Sequence, residues 1–256
     1  MNFFNIIRHK FHPFFYLSKF SFFRKLLKKK IIFLKNSKKY GKFYLYLPSH
    51  ISFYLDGQNF EKNTYQELLK LTKEKKLKNK VFVDIGGNIG TYSFFFKKKF
   101  NSKVFLFEPD LDNLILLYKS KKLNRFKNFE IFPFAISNSI KNQNFLIDDI
   151  FGSTGTLSSK RNVPQLRMGL KQKVNILTVK LDILIDLIPK IDWIKIDIEG
   201  HEYEALKGMK KIIKRDVPNF IIETDTFNLK KINNLLRPWQ YKFKKIENEP
   251  NYIFYK

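Results

Sequence analysis

The 256 residues suffice for one large α/β domain with an appendage, and a hydrophobic content of 44% excludes wholesale disorder. Forty-nine lysines and arginines outnumber 23 aspartates and glutamates, a formal charge of +26. The lysines are spread along a chain also rich in asparagine, isoleucine and phenylalanine, so an AT-rich genome explains the excess as well as an anionic partner does. The lack of cysteine excludes disulfides, thiolate metal sites and cysteine nucleophiles, and four scattered histidines offer no metal cluster, so no metal site is expected.

Residues 1–40 mix aromatic and aliphatic side chains with Arg8, Lys10, Lys19, Arg24, Lys25 and the run Lys28 to Lys30. Phe4, Ile7, Phe11 and Phe14 recur at helical spacing, which predicts basic amphipathic helices broken near Pro13. Such helices either pack on the body of the domain or lie on an anionic membrane face. No span is expected: the longest uncharged stretch, Phe43 to Leu55, has 13 residues, and crossing takes about 18. Without a secretory signal, the expected location is cytoplasmic, with peripheral membrane contact through residues 1–40 as an added expectation. From Gly41 to Gly57 the pattern is strand-like, interrupted at Pro48 and Ser49 before Ile51 to Leu55. Residues 1–60 thus read as an extension and 61–256 as the main domain.

Beyond a helix at Tyr65–Lys76, strands and helices alternate. Strands are predicted at Val81–Ile85, Lys103–Glu108, Phe129–Phe134, Val174–Lys180, Trp193–Ile198 and Phe220–Glu223; helices at Thr91–Lys99, Leu111–Asn124, Glu202–Lys214 and Asn228–Leu236. Tyr241–Glu247 and Asn251–Tyr255 read as a hairpin. This order implies an α/β fold: a mostly parallel, Rossmann-like sheet, helices on both faces, and an antiparallel hairpin at the C-terminus. Ligands in such a sheet bind outside the C-terminal strand ends.

Three motifs fall there. In Val81-Phe-Val-Asp-Ile-Gly-Gly-Asn-Ile-Gly90 a buried strand ends near Asp84 and a glycine turn leads into a helix, so that Gly86 and Gly90 allow close backbone approach and the helix start faces an anionic group. The dinucleotide pattern G-x-G-x-x-G fails, because its second and third glycine positions hold Asn88 and Thr91. D-x-G-x-N-x-G is the form that suits S-adenosylmethionine, with Asp84 toward its ammonium. Glu108, ending the next strand, can accept from both ribose hydroxyls. In Ile191-Asp-Trp-Ile-Lys-Ile-Asp-Ile-Glu-Gly-His201, strand alternation puts Lys195, Asp197 and Glu199 on one face. Buried unpaired charges are unfavourable, so these side chains form ion pairs or meet the cleft.

Together, VDIGGNIGTYS, FEPD, Leu181-Asp182, WIKIDIEGHEYEALKGM and IIET resemble the FkbM-type methyltransferase family, from about Tyr65 to the C-terminus. The resemblance implies a class I methyltransferase fold with a seven-stranded sheet, S-adenosyl-L-methionine as cofactor and O-methylation of a hydroxyl on a sugar or related small molecule. It implies cofactor contacts at Asp84, Gly86, Asn88, Gly90 and Glu108. Candidates for the base that takes the hydroxyl proton are Asp197, then Glu199, then His201. A nucleic-acid methyltransferase would use the +26 charge but would want arginine and exposed stacking aromatics, and the phenylalanines here sit in apolar runs. A non-catalytic binding module on the same fold and a nicotinamide enzyme also stay open. Segment 148–173, rich in Gly, Ser and Thr, is either an acceptor loop or a plain solvent loop.

Overall fold

The computed structural model describes residues 31–47, 49–75, 79–148, 155–157 and 171–256. The expected helices over 1–30 lie outside these residues. Ile31–Ser37 (β1), expected as helix, is a strand paired antiparallel with Gly41–Leu47 (β2), Ile31 facing Leu47 and Ser37 facing Gly41. Branched Ile31 and Ile32 with Phe33 favour the extended backbone here. Ile51–Asp56 (α1) is a helix where the sequence read as strand-like. Next come Lys62–Lys75 (α2), Val81–Ile85 (β3), Thr91–Phe100 (α3), Lys103–Phe107 (β4), Leu111–Asn124 (α4) and Phe129–Phe132 (β5). Ala135–Ile136 (β6), Lys141–Asp148 (β7) and Lys171–Val179 (β8) follow. The chain ends through Trp193–Ile196 (β9), Glu202–Lys207 (α5), Lys210–Asp216 (α6), Asn219–Glu223 (β10), Thr226–Leu236 (α7), Lys242–Lys245 (β11) and Asn251–Tyr255 (β12).

The main sheet has seven strands in the order β11-β12-β10-β9-β3-β4-β5. Pairs from β10 across to β5 are parallel, and β12 runs against both its neighbours, β10 and β11. All seven were expected as strands, terminal hairpin included. Two expectations fail in detail. The strand read at Val174–Lys180 belongs to a separate three-stranded sheet, β6-β8-β7, and the helix read over 202–214 is two helices broken at Gly208. A Cβ at Gly208 would stand 1.9 Å from the Ser137 carbonyl oxygen, so only glycine lets that sheet approach so closely.

Two apolar layers flank the main sheet. One joins Phe82, Leu106 and Trp193 to α3, α4 and the described part of the extension, including Tyr40, Phe43, Leu45 and Phe53. The other joins Val83, Ile85, Ile194 and Ile196 to α5, α6 and α7. The extension therefore shares a core with the domain. Among the described residues, no helix is long and apolar enough to cross a membrane. From β3 the chain builds outward through β4 and β5, then returns to place β9 on the other side of β3. The strand ends of β3, β4 and β9 accordingly surround the switch point where such sheets bind ligands.

Candidate functional site

The turn after β3 is shaped by what lies beside it. Gly86 has φ +78°, and a Cβ there would stand 1.9 Å from the Asp197 carbonyl oxygen. Gly90, with φ +85°, is the N-cap of α3, and a Cβ there would press on Leu117 and Phe94. The close approach these glycines permit is thus to protein atoms. Asn88, also left-handed at φ 50°, is of a type that tolerates that region.

Beyond β4 lies Glu108, only 5% exposed. One carboxylate oxygen accepts from the Asn88 N–H at 2.7 Å and the other from the Asp110 N–H at 2.9 Å, which fixes the carboxylate plane. Burial, then the Asp110 charge, pushes its pKa up to about 8, while those N–H groups and the Asn113 side chain favour the anion.

Asp84 and Lys195 are register partners across β3 and β9. Asp84 is buried; its Oδ2 accepts from the Ser93 backbone N–H at 3.2 Å and from Ser93 Oγ at 2.7 Å, tying strand β3 to the first turn of α3. Burial raises its pKa, against the pull of Lys195 and Ser93. Lys195 donates to Asp197 Oδ2 at 2.8 Å and lies 4.7 Å from the Tyr92 ring centre. Burial would push the Lys195 ammonium down, but Asp197, Glu61 and Asp84 hold its pKa above the ordinary lysine value. Strand β9 stops at Ile196, earlier than the expected Ile198, because Glu199 and Gly200 turn left-handed.

Sequence reading missed three residues of this cluster. The Tyr92 hydroxyl donates to Glu61, at the start of α2, and Glu223 ends β10 one strand over from β9. Burial raises the Glu61 pKa to about 7, with Lys195 and Tyr92 lowering it and Asp197 and Glu249 raising it. Glu223 is pushed well above the usual carboxylate range by burial, then by Asp197, Glu61 and Glu199. Glu223 was reachable as the acid at the end of the next parallel strand; Glu61 has no local signature, because only the fold brings α2 to this spot.

A cleft of about 610 Å³, open solvent included, lies at the strand ends. Gly86, Asn88 and Glu108 line it together with Asp197 and Glu199, while Phe107, Ile136, Phe145 and Leu157 supply apolar wall. Within segment 148–173, Gly155 and Leu157 reach this cleft; residues 149–154 and 158–170 lie outside the described set. Asp84, Gly90 and His201 are not among the lining residues. His201 instead meets Ser137 Oγ through Nε2 at 2.9 Å, and burial lowers its pKa.

Comparison with known proteins agrees with this architecture. Residues 84–248 match the family described as Methyltransferase FkbM domain. Hexuronic acid methyltransferase AglP of Haloferax volcanii is 29% identical over 160 residues, which cover 61% of this chain and 60% of that protein. The chain therefore spans less than two thirds of that relative. The crystal structure of methyltransferase FkbM from Methylobacillus flagellatus KT is similar at 20% identity with a TM-score of 0.52, covering 69% of this chain and 44% of the other.

Proposed function

Because the chain belongs to the FkbM methyltransferase family, we propose that it O-methylates a hydroxyl of a saccharide or related metabolite. Its methyl donor is S-adenosylmethionine. The observation that carries the reading is one cleft lined by Glu108 with Asn88 and Gly86, and by Asp197 with Glu199. The residues present fit the cofactor. Each Glu108 oxygen holds one N–H and keeps a further acceptor position for a ribose hydroxyl. Phe107, Ile136 and Phe145 offer apolar surface for a purine. Asp84 and Gly90 act behind the wall, where Asp84 fixes the start of α3 through Ser93.

When bound, the cofactor supplies an electrophilic methyl group on sulfur. The chain's part is to hold the acceptor oxygen in line at about 3–3.5 Å and to take its proton. Asp197 is the first candidate base. Lys195 pairs with it at 2.8 Å and holds its orientation, and the Asp197 side chain is 26% exposed, open enough to meet an acceptor. Glu199 is second. His201, turned toward Ser137, is the weakest of the three.

The hexuronic acid of the AglP name supports a saccharide acceptor. Among the described residues the cleft is lined by Glu108, Asp110, Asp197 and Glu199 and by no lysine or arginine, which favours a neutral hydroxyl over a nucleic acid despite the overall charge of +26. The proposal keeps a cytoplasmic location with peripheral membrane contact through residues 1–40: Ile31, Ile32, Phe33 and Leu34 are exposed on β1, directly after the basic run Lys28 to Lys30.

Calorimetric titration of S-adenosylmethionine tests the site. Glu108→Ala should abolish binding with circular dichroism intact; retained binding removes the assignment. Asp197→Asn should lower turnover by about 10²–10⁴ with little change in cofactor affinity. Wild-type turnover would remove Asp197 as the base. Ile32→Ser combined with Leu34→Ser should reduce sedimentation with phosphatidylserine vesicles; unchanged sedimentation removes the membrane contact.

A further inference from the structure

Lys195 stands between two carboxylates, and burial alone would pair it with the other one. It is the register partner of Asp84 on the adjacent parallel strand, so the two side chains leave the same face of the sheet. Asp84 is 1% exposed, and among the described residues its Oδ1 has no hydrogen-bond partner. The Asp197 side chain is 26% exposed. An ammonium is drawn most strongly to the drier carboxylate, where attraction is less screened and an unmet acceptor is costly; water can satisfy the wetter one. Yet Lys195 Nζ donates to Asp197 Oδ2, at 2.8 Å.

In that position Nζ also lies 4.7 Å from the centre of the Tyr92 ring. The distance is within the reach of a cation–π contact, which strengthens where water is excluded, and Tyr92 is 2% exposed. The ring is itself held. Tyr65 of α2 stacks on it with centres 4.7 Å apart and planes 20° apart, and the Tyr92 hydroxyl donates to Glu61. Both holds come from upstream of the family match at residues 84–248. Asp197 lines the cleft, and among the described residues its carboxylate has one hydrogen bond, through Oδ2, so Oδ1 stays open.

We propose that Tyr92 is a positioning residue for the methyl-transfer base: its ring face keeps the Lys195 ammonium on Asp197 Oδ2 instead of Asp84, which leaves Asp197 Oδ1 to the acceptor hydroxyl. The inference rests on Asp197 being the base, as proposed above. It also accounts for the unmet Asp84 Oδ1, and it gives Glu61 and Tyr65 a part in the chemistry through the ring they hold.

Crystal structures of the full chain carry the test. Tyr92→Leu fills the site with apolar atoms but offers no π face, so Nζ should leave Asp197 and come to about 3 Å from Asp84 Oδ1. Tyr92→Phe keeps the face and the stack on Tyr65 while losing the bond to Glu61, and Nζ should stay on Asp197. A purely structural tyrosine would cost stability in both variants and move Nζ in neither. Nζ still bonded to Asp197 in Tyr92→Leu overturns the proposal, as does its departure in Tyr92→Phe. Should Tyr92→Leu not fold, Tyr92→pentafluorophenylalanine keeps the shape of phenylalanine and removes the negative charge of the face, with the same expectation and the same refutation. The two readings fail separately. An unmoved Nζ removes Tyr92 and leaves Asp197 as the base; wild-type turnover in Asp197→Asn removes the base, and with it the role of Tyr92, even where Nζ moves.

Discussion

Replacing Lys195 by methionine probes the charge arrangement behind the cleft. Lys195 is 4% exposed, pairs with Asp197 at 2.8 Å and faces Asp84 and Glu61. Removing one partner of a buried pair costs about 3–5 kcal/mol, because the other charge stays behind uncompensated. Asp197 is 26% exposed, so solvent recovers part of that, and about 2–4 kcal/mol is expected near pH 8. The loss should depend on pH in a definite direction. Glu61, Glu223 and Asp84 all have raised pKa values in the folded protein. An acid of this kind supports the fold fully below its unfolded pKa, and that support is lost as pH rises through its folded value. Without the ammonium those folded values climb further, so Lys195→Met should lose more stability at pH 8 than at pH 5. Urea denaturation at the two pH values, with matched slopes, measures this. A cost under about 0.5 kcal/mol, the level of an ordinary surface substitution, or one equal at both pH values, would refute the reasoning.

Two further outcomes follow from the same geometry. Gly86→Ala forces a side chain into left-handed backbone and onto the Asp197 carbonyl, so its cost should exceed about 3 kcal/mol. Gly57→Ala shares the positive φ but meets only the flexible end of Lys35, and equal costs in the two variants would show that the Asp197 approach does not matter. Glu61→Gln should flatten the stability profile between about pH 4.5 and 7, the window over which the wild type loses support as Glu61 gives up its proton. An unchanged profile in thermal melts would place that titration elsewhere.

How far the sequence speaks for itself varies with the residue. Strands β3, β4, β9, β10 and β12 are apolar runs buried on both faces, such as Val81-Phe-Val in β3, and their positions were legible. β7, Lys-Asn-Gln-Asn-Phe-Leu-Ile-Asp, opens on four polar residues and belongs to the separate three-stranded sheet, so its start gave no strand signal. In α1, Ile51, Phe53 and Tyr54 have strand-like preferences that the local turn at His50 and the packing of Phe53 override. The glycine turn was recognisable, but the neighbour that demands glycine, the Asp197 carbonyl, comes from a strand more than a hundred residues away. Glu108 and Asp197 stood at strand ends and could be read; Glu61 reaches the Lys195 cluster only through tertiary packing.

A crystal of the full chain grown with S-adenosylhomocysteine examines the cofactor assignment at its root. The ribose hydroxyls should lie within hydrogen-bond distance of Glu108, with the sulfur facing the Asp197 side of the cleft. Nucleoside density elsewhere, or a cleft closed by its own side chains, would contradict the assignment.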